Sequence, residues 1–122
     1  MKFQVDSAGR LNAFTSYGEG FVEVGGQRHV ANVIVLPERV EPWGAPSFES
    51  LAEAHFEALA ALAPEVVLLG TGARLRFPHP SLLRPLHRAR IGFEAMDTRA
   101  ACRTFNILVA EGRKVAAALL LA

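Results

Sequence analysis

The amino-acid sequence predicts an α/β fold with a mixed central β-sheet, helices on its faces and an N-terminal β-hairpin element, all in one domain spanning residues 1–122. Three observations lead there. Short β-prone runs separated by glycines fill the first third, apolar runs alternate with helical periodicity in the remainder, and the closing stretch from Val115 to Leu121 is apolar throughout. Strands that alternate with helices build sheets covered by helices. A chain of 122 residues fits one domain and buries a real core, and 51% hydrophobic against 20% charged residues excludes a disordered chain.

Leu11 to Tyr17, Phe21 to Val24 and Arg28 to Leu36 read as strands. Between the second and third, Val24-Gly25-Gly26-Gln27 is a hairpin signal, because two glycines accept the positive φ of a tight turn. Val30 to Leu36 is almost unbroken apolar sequence, as suits a strand covered on both faces, and it ends at Pro37. Pro37 to Pro46 then reads as a loop. Ser50 followed by Glu53 has the spacing of a capping box, predicting a helix over 51–63 with Leu51, His55, Leu59 and Leu62 inward and Glu49, Glu53 and Glu57 outward. Pro64 stops it.

Glu65 to Leu69 reads as a buried strand, Pro80 to Arg90 as a short helix disturbed by Pro85, and Ile91 to Ala95 as the next strand. Asp97 or Thr98 caps a helix that continues to about Ala110, with Gly112 as its left-handed terminator and Cys102, Phe105 and Val109 on its inner face. Val115 to Leu121, following a helix stop, is a central-strand candidate.

Charge and composition narrow the function. A net charge of +1 provides no global field for nucleic acid. The single cysteine, Cys102, neither forms an internal disulfide nor makes a zinc site alone. Met1 to Asp6 holds no apolar signal core, and the run from Val115 to Ala122 is far short of the roughly 20 residues that span a bilayer. The expectation is a cytoplasmic protein without a transmembrane segment.

Leu68-Leu69-Gly70-Thr71-Gly72, Met96-Asp97-Thr98, Ala100-Ala101-Cys102-Arg103-Thr104-Phe105-Asn106 and Ala110-Glu111-Gly112-Arg113, together with the Pro/Trp loop at Trp43, carry a resemblance. The chain resembles, over nearly its whole length, a small α/β family that includes the mitochondrial respiratory complex I assembly factor 3 and many bacterial proteins of unknown function. The resemblance implies a three-layer fold, in which a β-hairpin plus helix, the mixed sheet and further helices are stacked. It implies no catalytic residue and no cofactor, since the family has no established reaction. Phe105 occupies a position often held by Tyr in relatives, so no role for a phenol hydroxyl carries over.

Gly70-Thr71-Gly72 follows a strand, where α/β folds place ligands and where glycine backbone approaches an anion closely. It lacks the third glycine of a dinucleotide fingerprint and the Lys-Ser/Thr of a phosphate loop. If both crossovers are parallel, Gly70, Thr71, Gly72, Asp97 and Thr98 share one sheet edge and border a candidate ligand pocket with Arg74 or Arg76. The alternative is a plain turn at the glycines and a plain cap at Asp97.

No acidic residue occurs from Val66 to Phe93, a segment that holds Arg74, Arg76, Arg84, Arg88 and Arg90, whereas residues 38–65 are rich in Glu. An electrostatically two-sided domain is expected, with Arg84, Arg88 and Arg90 as a candidate partner surface or simply a solvated face. His55 reads as a hydrogen-bonded core histidine and Cys102 as an inert packed thiol. The histidine spacing disfavours metal, and no serine has a nucleophilic setting.

Two functional readings result. One is a non-enzymatic binding or assembly factor acting through protein–protein contacts with a protein complex that is membrane-associated, which would place the chain in the cytoplasm or peripheral to the inner membrane. The other is a small-molecule-binding enzyme or sensor with an anion-accepting pocket at the Gly70–Gly72 and Asp97–Thr98 edge.

Overall fold

Gly25 and Gly26, both at positive φ, turn the chain between two strands of an antiparallel meander: β1 (Phe14–Gly18), β2 (Phe21–Val24) and β3 (Gln27–His29). The computed structural model describes residues 11–121. The expected hairpin is present and extended by a third strand.

Among the described residues the second sheet has five strands. They are β4 (Val33–Val35), β5 (Val40–Pro42), β6 (Val66–Gly70), β7 (Gly92–Met96) and β8 (Val115–Leu119), in the spatial order β5-β4-β8-β6-β7. β8 is central, antiparallel to β4 and parallel to β6, and β6 is parallel to β7. Every residue of β8 is buried because both faces are covered. Val115, Ala117 and Leu119 point into one core and Ala116, Ala118 and Leu120 into the other, as strand alternation requires.

One face is covered by helix α3 (Thr98–Ala110) and the meander, through Phe14, Val22 and Val24 against Phe105 and Val109. The Asn106 amide binds both backbone groups of Phe14, accepting from its N–H at 2.8 Å and donating to its carbonyl at 3.0 Å, so a helix side chain takes the place of a neighbouring strand. The other face carries helix α1 (Glu53–Ala60) and helix α2 (Arg84–Arg88), whose Phe56, Leu59 and Leu86 pack on Val67, Leu69 and Ala118. The three layers implied by the resemblance are therefore observed.

Four local expectations change. Arg28 to Leu36 is not one strand: β3 and β4 belong to different sheets, separated at Asn32, whose side chain accepts from Leu121 N–H at 2.8 Å and donates to Ala45 O at 2.7 Å. The Pro37–Pro46 loop contains β5, an edge strand, where proline is tolerated because no described strand pairs with its outer side. Helix α1 starts after Ala52, not Ser50. The Ala52 N–H donates to His55 Nδ1 at 2.9 Å, whereas Ser50 closes a separate turn with Ser47. His55 is thus a half-buried capping residue rather than a core one, and Phe56 takes the inward position. Finally, Pro80–Leu83 is a 3₁₀ turn, and Pro85 opens α2 in its first turn, where its missing N–H costs nothing.

Helix α3 matches its expected bounds. Asp97 caps it by accepting from Ala100 N–H at 2.9 Å, and Gly112 follows its end at positive φ.

Candidate functional site

Because β6 and β7 run parallel in the register Gly70 to Met96, the loops leaving them emerge at the same sheet edge. The structure brings Gly70, Thr71, Gly72, Asp97 and Thr98 together there. Their polar atoms, however, bind one another. Thr98 Oγ1 accepts from Gly72 N–H at 2.9 Å and donates to Leu120 O at 3.2 Å, while Thr98 N–H donates to Gly72 O at 2.9 Å. The Thr71 hydroxyl donates to Arg74 O at 2.7 Å and accepts from Arg76 N–H at 3.1 Å, closing the loop on itself. Both threonines are buried. Asp97 serves as the α3 cap.

Gly70 is small because a helix crosses it. A Cβ there would meet Leu119 Cδ2 at 2.7 Å, Thr98 Oγ1 at 3.2 Å and Ala101 Cβ at 3.3 Å, so the glycine lets α3 lie close on the sheet. Its φ is not in the left-handed region, whereas Gly72 has φ +92°.

Arg76 folds over this edge. Its guanidinium stacks 4.4 Å from the Phe48 ring centroid, Nη1 pairs with Glu49 at 3.0 Å, and Nη2 donates to Thr71 O at 3.3 Å. Its Nε is buried with no hydrogen-bond partner among the described residues. Arg74 is exposed.

Arg84, Arg88 and Arg90 are all exposed, while Pro85 and Leu86 supply the buried side of α2. The expected two-sided charge takes a different form: α1 packs beside α2, and the acidic and basic segments meet at a seam through Arg76–Glu49 and a longer Arg88–Glu53 pair at 3.9 Å. Cys102 is buried under the meander, and desolvation pushes its thiol from 9.0 up to about 12, against a smaller opposing effect of Arg103. A thiol of that pKa is not a nucleophile at neutral pH. Among the described residues no three His, Cys, Asp or Glu side chains are grouped for a metal.

A concavity of about 770 Å³ lies at the other end of β6, between Leu36, Pro37, Leu62, Val109 and Arg113. There the Arg113 guanidinium, hydrogen-bonded to Glu65 at 2.7 Å, holds that exposed carboxyl below its usual range.

A surface that residue patterns did not single out lies beside β7. Phe77, Pro78, Pro80 and Leu83 form a mainly apolar furrow of about 460 Å³ with Phe93, Glu94 and Ala95 of β7, and Phe77 is 73% exposed. An aromatic residue just ahead of two closely spaced prolines in Arg76-Phe77-Pro78-His79-Pro80, outside any helix or strand pattern, was the available signal.

Fold and site together define a three-layer α/β domain whose strand-end loops are locked by threonine hydroxyls, with an apolar furrow along its parallel edge strand. The profile of the family described as proteins of unknown function, DUF498/DUF598, matches residues 14–120, and this chain belongs to that family. It is similar to a Bordetella parapertussis protein of known crystal structure, with 43% identity, coverage of 93% of this chain and 98% of that one, and a TM-score of 0.87. It is also similar to a Bordetella pertussis protein described as a Mth938-like domain, with 36% identity, 99% and 92% coverage and a TM-score of 0.81. Among curated proteins it is similar to NADH dehydrogenase (ubiquinone) 1 alpha subcomplex assembly factor 3 of Bos taurus, 39% identical over 103 residues, which are 83% of this chain and 55% of that protein. The chain thus spans little more than half the length of that relative. The family resemblance read from the sequence is established by these matches.

Proposed function

We propose that the chain is a non-enzymatic binding or assembly factor that works through protein–protein contacts on a protein complex, itself membrane-associated. The observation that supports this reading is the relatedness to proteins named as assembly factors of NADH dehydrogenase, which extends across 83% of the chain in the Bos taurus case. The internally satisfied hydrogen bonds at the β6 and β7 ends fit a scaffold better than a reacting centre. On this reading the protein resides in the cytoplasm or peripheral to the inner membrane, held there by its partner. Among the described residues no helix is long and apolar enough to cross a membrane.

Arg84, Arg88 and Arg90 form one contact surface in this proposal. The test is an affinity pull-down from the source cell with the wild-type chain and the R84S/R88S/R90S variant, across a salt series. Reproducible recovery of the same protein partners, weakened by added salt and by the triple substitution, is the expected outcome. Repeated recovery of nothing above background overturns the reading.

A second reading keeps Gly70, Thr71, Gly72, Arg76, Asp97 and Thr98 as an anion-accepting edge, and the unpartnered Nε of Arg76 favours it. It requires a rise in melting temperature with inorganic phosphate or a simple carboxylate that Arg76→Gln abolishes, because a ligand selective for the folded state stabilises by mass action.

A further inference from the structure

We propose that the outer edge of β7 and the furrow beside it accept an extended, acidic segment of a partner protein as an added strand. This deepens the protein-binding reading and rests on it. Among the described residues β7 terminates the five-stranded sheet. Gly92 N–H donates to Glu65 O at 2.9 Å and Met96 O accepts from Thr71 N–H at 2.9 Å, so the backbone groups of Gly92 and Met96 face β6. In a parallel strand both backbone groups of one residue point to the same side, and successive residues alternate sides. Phe93 and Ala95 therefore direct their N–H and C=O outward, and no described residue bonds them there.

Native edges are commonly protected by proline, bulges or a covering loop. β7 contains no proline, and its register with β6 is unbroken. What lies beside it is apolar instead. Phe93 and Ala95 turn their side chains to the face that carries α1 and α2, next to Phe77 and Leu83, so a strand laid along β7 would place alternate side chains over the furrow. Main-chain pairing combined with pockets for alternate side chains is the physical basis of strand addition.

Charge selects the occupant. Arg84 follows the furrow residue Leu83 in the chain, Arg90 precedes β7, and Arg74 lies in the loop leading to Phe77; all three are exposed and none makes an ion pair with a described residue. The one acidic residue of β7, Glu94, is exposed and shares in lining the furrow, so carboxylates of an occupant belong at its ends, toward Arg74, Arg84 and Arg90, and not over the middle of β7. An extended segment with apolar residues at alternate positions and carboxylates at its ends fits this setting. A second copy fits less well, since antiparallel pairing of two β7 strands about their centre sets Glu94 against Glu94.

The test is selection of a displayed library of random dodecapeptides on the full chain, followed by amide hydrogen exchange with the enriched synthetic peptide. Enrichment of acidic sequences with alternate apolar residues, together with new protection of the Phe93 and Ala95 amides, is expected. Ala95→Pro removes an outward N–H without touching the β6 ladder and should weaken binding roughly tenfold, as should Phe77→Ser. R84E/R90E should weaken it and reverse its salt dependence. Both single variants are first checked for an unchanged exchange pattern in β6 and β8; if Ala95→Pro disturbs it, Phe77→Ser and the charge reversal decide. Enriched peptides that leave Phe93 and Ala95 unprotected, or no enrichment, overturn the inference. Concentration-dependent protection of those amides without peptide assigns the edge to a second copy and overturns it too. Cellular partners retained equally by the wild type and Ala95→Pro sink this inference while leaving the protein-binding reading standing. An empty pull-down combined with peptide binding at β7 does the reverse.

Discussion

At the C-terminal ends of β6 and β7 the conspicuous polar groups are turned inward, Thr71 and Thr98 each bridging backbone that would otherwise be orphaned. Along the outer side of β7, only a few residues away, the backbone of Phe93 and Ala95 is unbonded by any described residue and an aromatic ring stands 73% exposed. The first region held the motif that looked chemical, and the second contained no recognised motif. A buried hydroxyl with two satisfied bonds contributes to cohesion, because breaking it strands its partners in a dry interior. An open edge contributes little to cohesion and has its hydrogen bonds still to make. Residue type alone does not separate these cases. The partners do.

Substitutions can break that contrast. The largest effect is expected for Thr98→Val, which keeps the shape but leaves Gly72 N–H and Leu120 O without their partner; a loss of about 3 kcal/mol is expected in denaturant unfolding. A loss under about 0.5 kcal/mol would show that the edge is not held by this hydroxyl. Gly70→Ala should cost about 2 kcal/mol, since its Cβ overlaps Leu119 and forces α3 outward. If it proves neutral, the glycine is there for something other than helix packing.

Cys102 extends the contrast to chemistry. The folded thiol stays protonated up to about pH 12 whereas the unfolded one ionises near 9.0. Stability is therefore full below pH 9.0 and falls as the pH rises from there toward about 12, and Cys102→Ala should remove that slope. Alkylation of native Cys102 by iodoacetamide should track global unfolding; rapid modification of the folded protein would contradict its placement.

The open region should answer in the other direction. Arg90 sits at φ +60° just before β7, so Arg90→Gly relieves a left-handed conformation and should raise stability by about 0.5 kcal/mol while weakening any acidic peptide bound there. Phe77→Ser is expected to change stability least, within about 0.5 kcal/mol, yet to reduce peptide binding strongly. Stability and binding moving together in either variant would mean that the furrow belongs to the core.

Short-range physics made much of this molecule legible. Asp97, the apolar stripe of Cys102, Phe105 and Val109, and Gly112 delimit α3 because cap, periodicity and terminator all act within a few residues of one another. The unbroken apolar run of β8 announced burial on both faces, and the alternation of strands and helices put Gly70 and Asp97 at one edge on condition of parallel crossovers, a condition that the β6–β7 pairing meets. The helix start at Ala52 was hidden because Ser50 and Glu53 have the right spacing for a cap, whereas Ser50 bonds Ser47 and the Ala52 N–H bonds His55 Nδ1 instead.

The sequence by itself determined which segments are helix and strand where local signals agree, and that their apolar faces require a sheet covered on both sides. Only the tertiary structure decided neighbours. It divided Arg28 to Leu36 between two sheets through the Asn32 side chain, made a strand of Val40–Pro42 by offering it β4, tied α3 to β1 through Asn106, and left β7 at the end of the sheet. Those outcomes depend on contacts between residues up to 92 positions apart, which no window of local propensity contains. A buried strand and an edge strand share the same backbone; what distinguishes them is whether another strand arrives to satisfy the second row of amides.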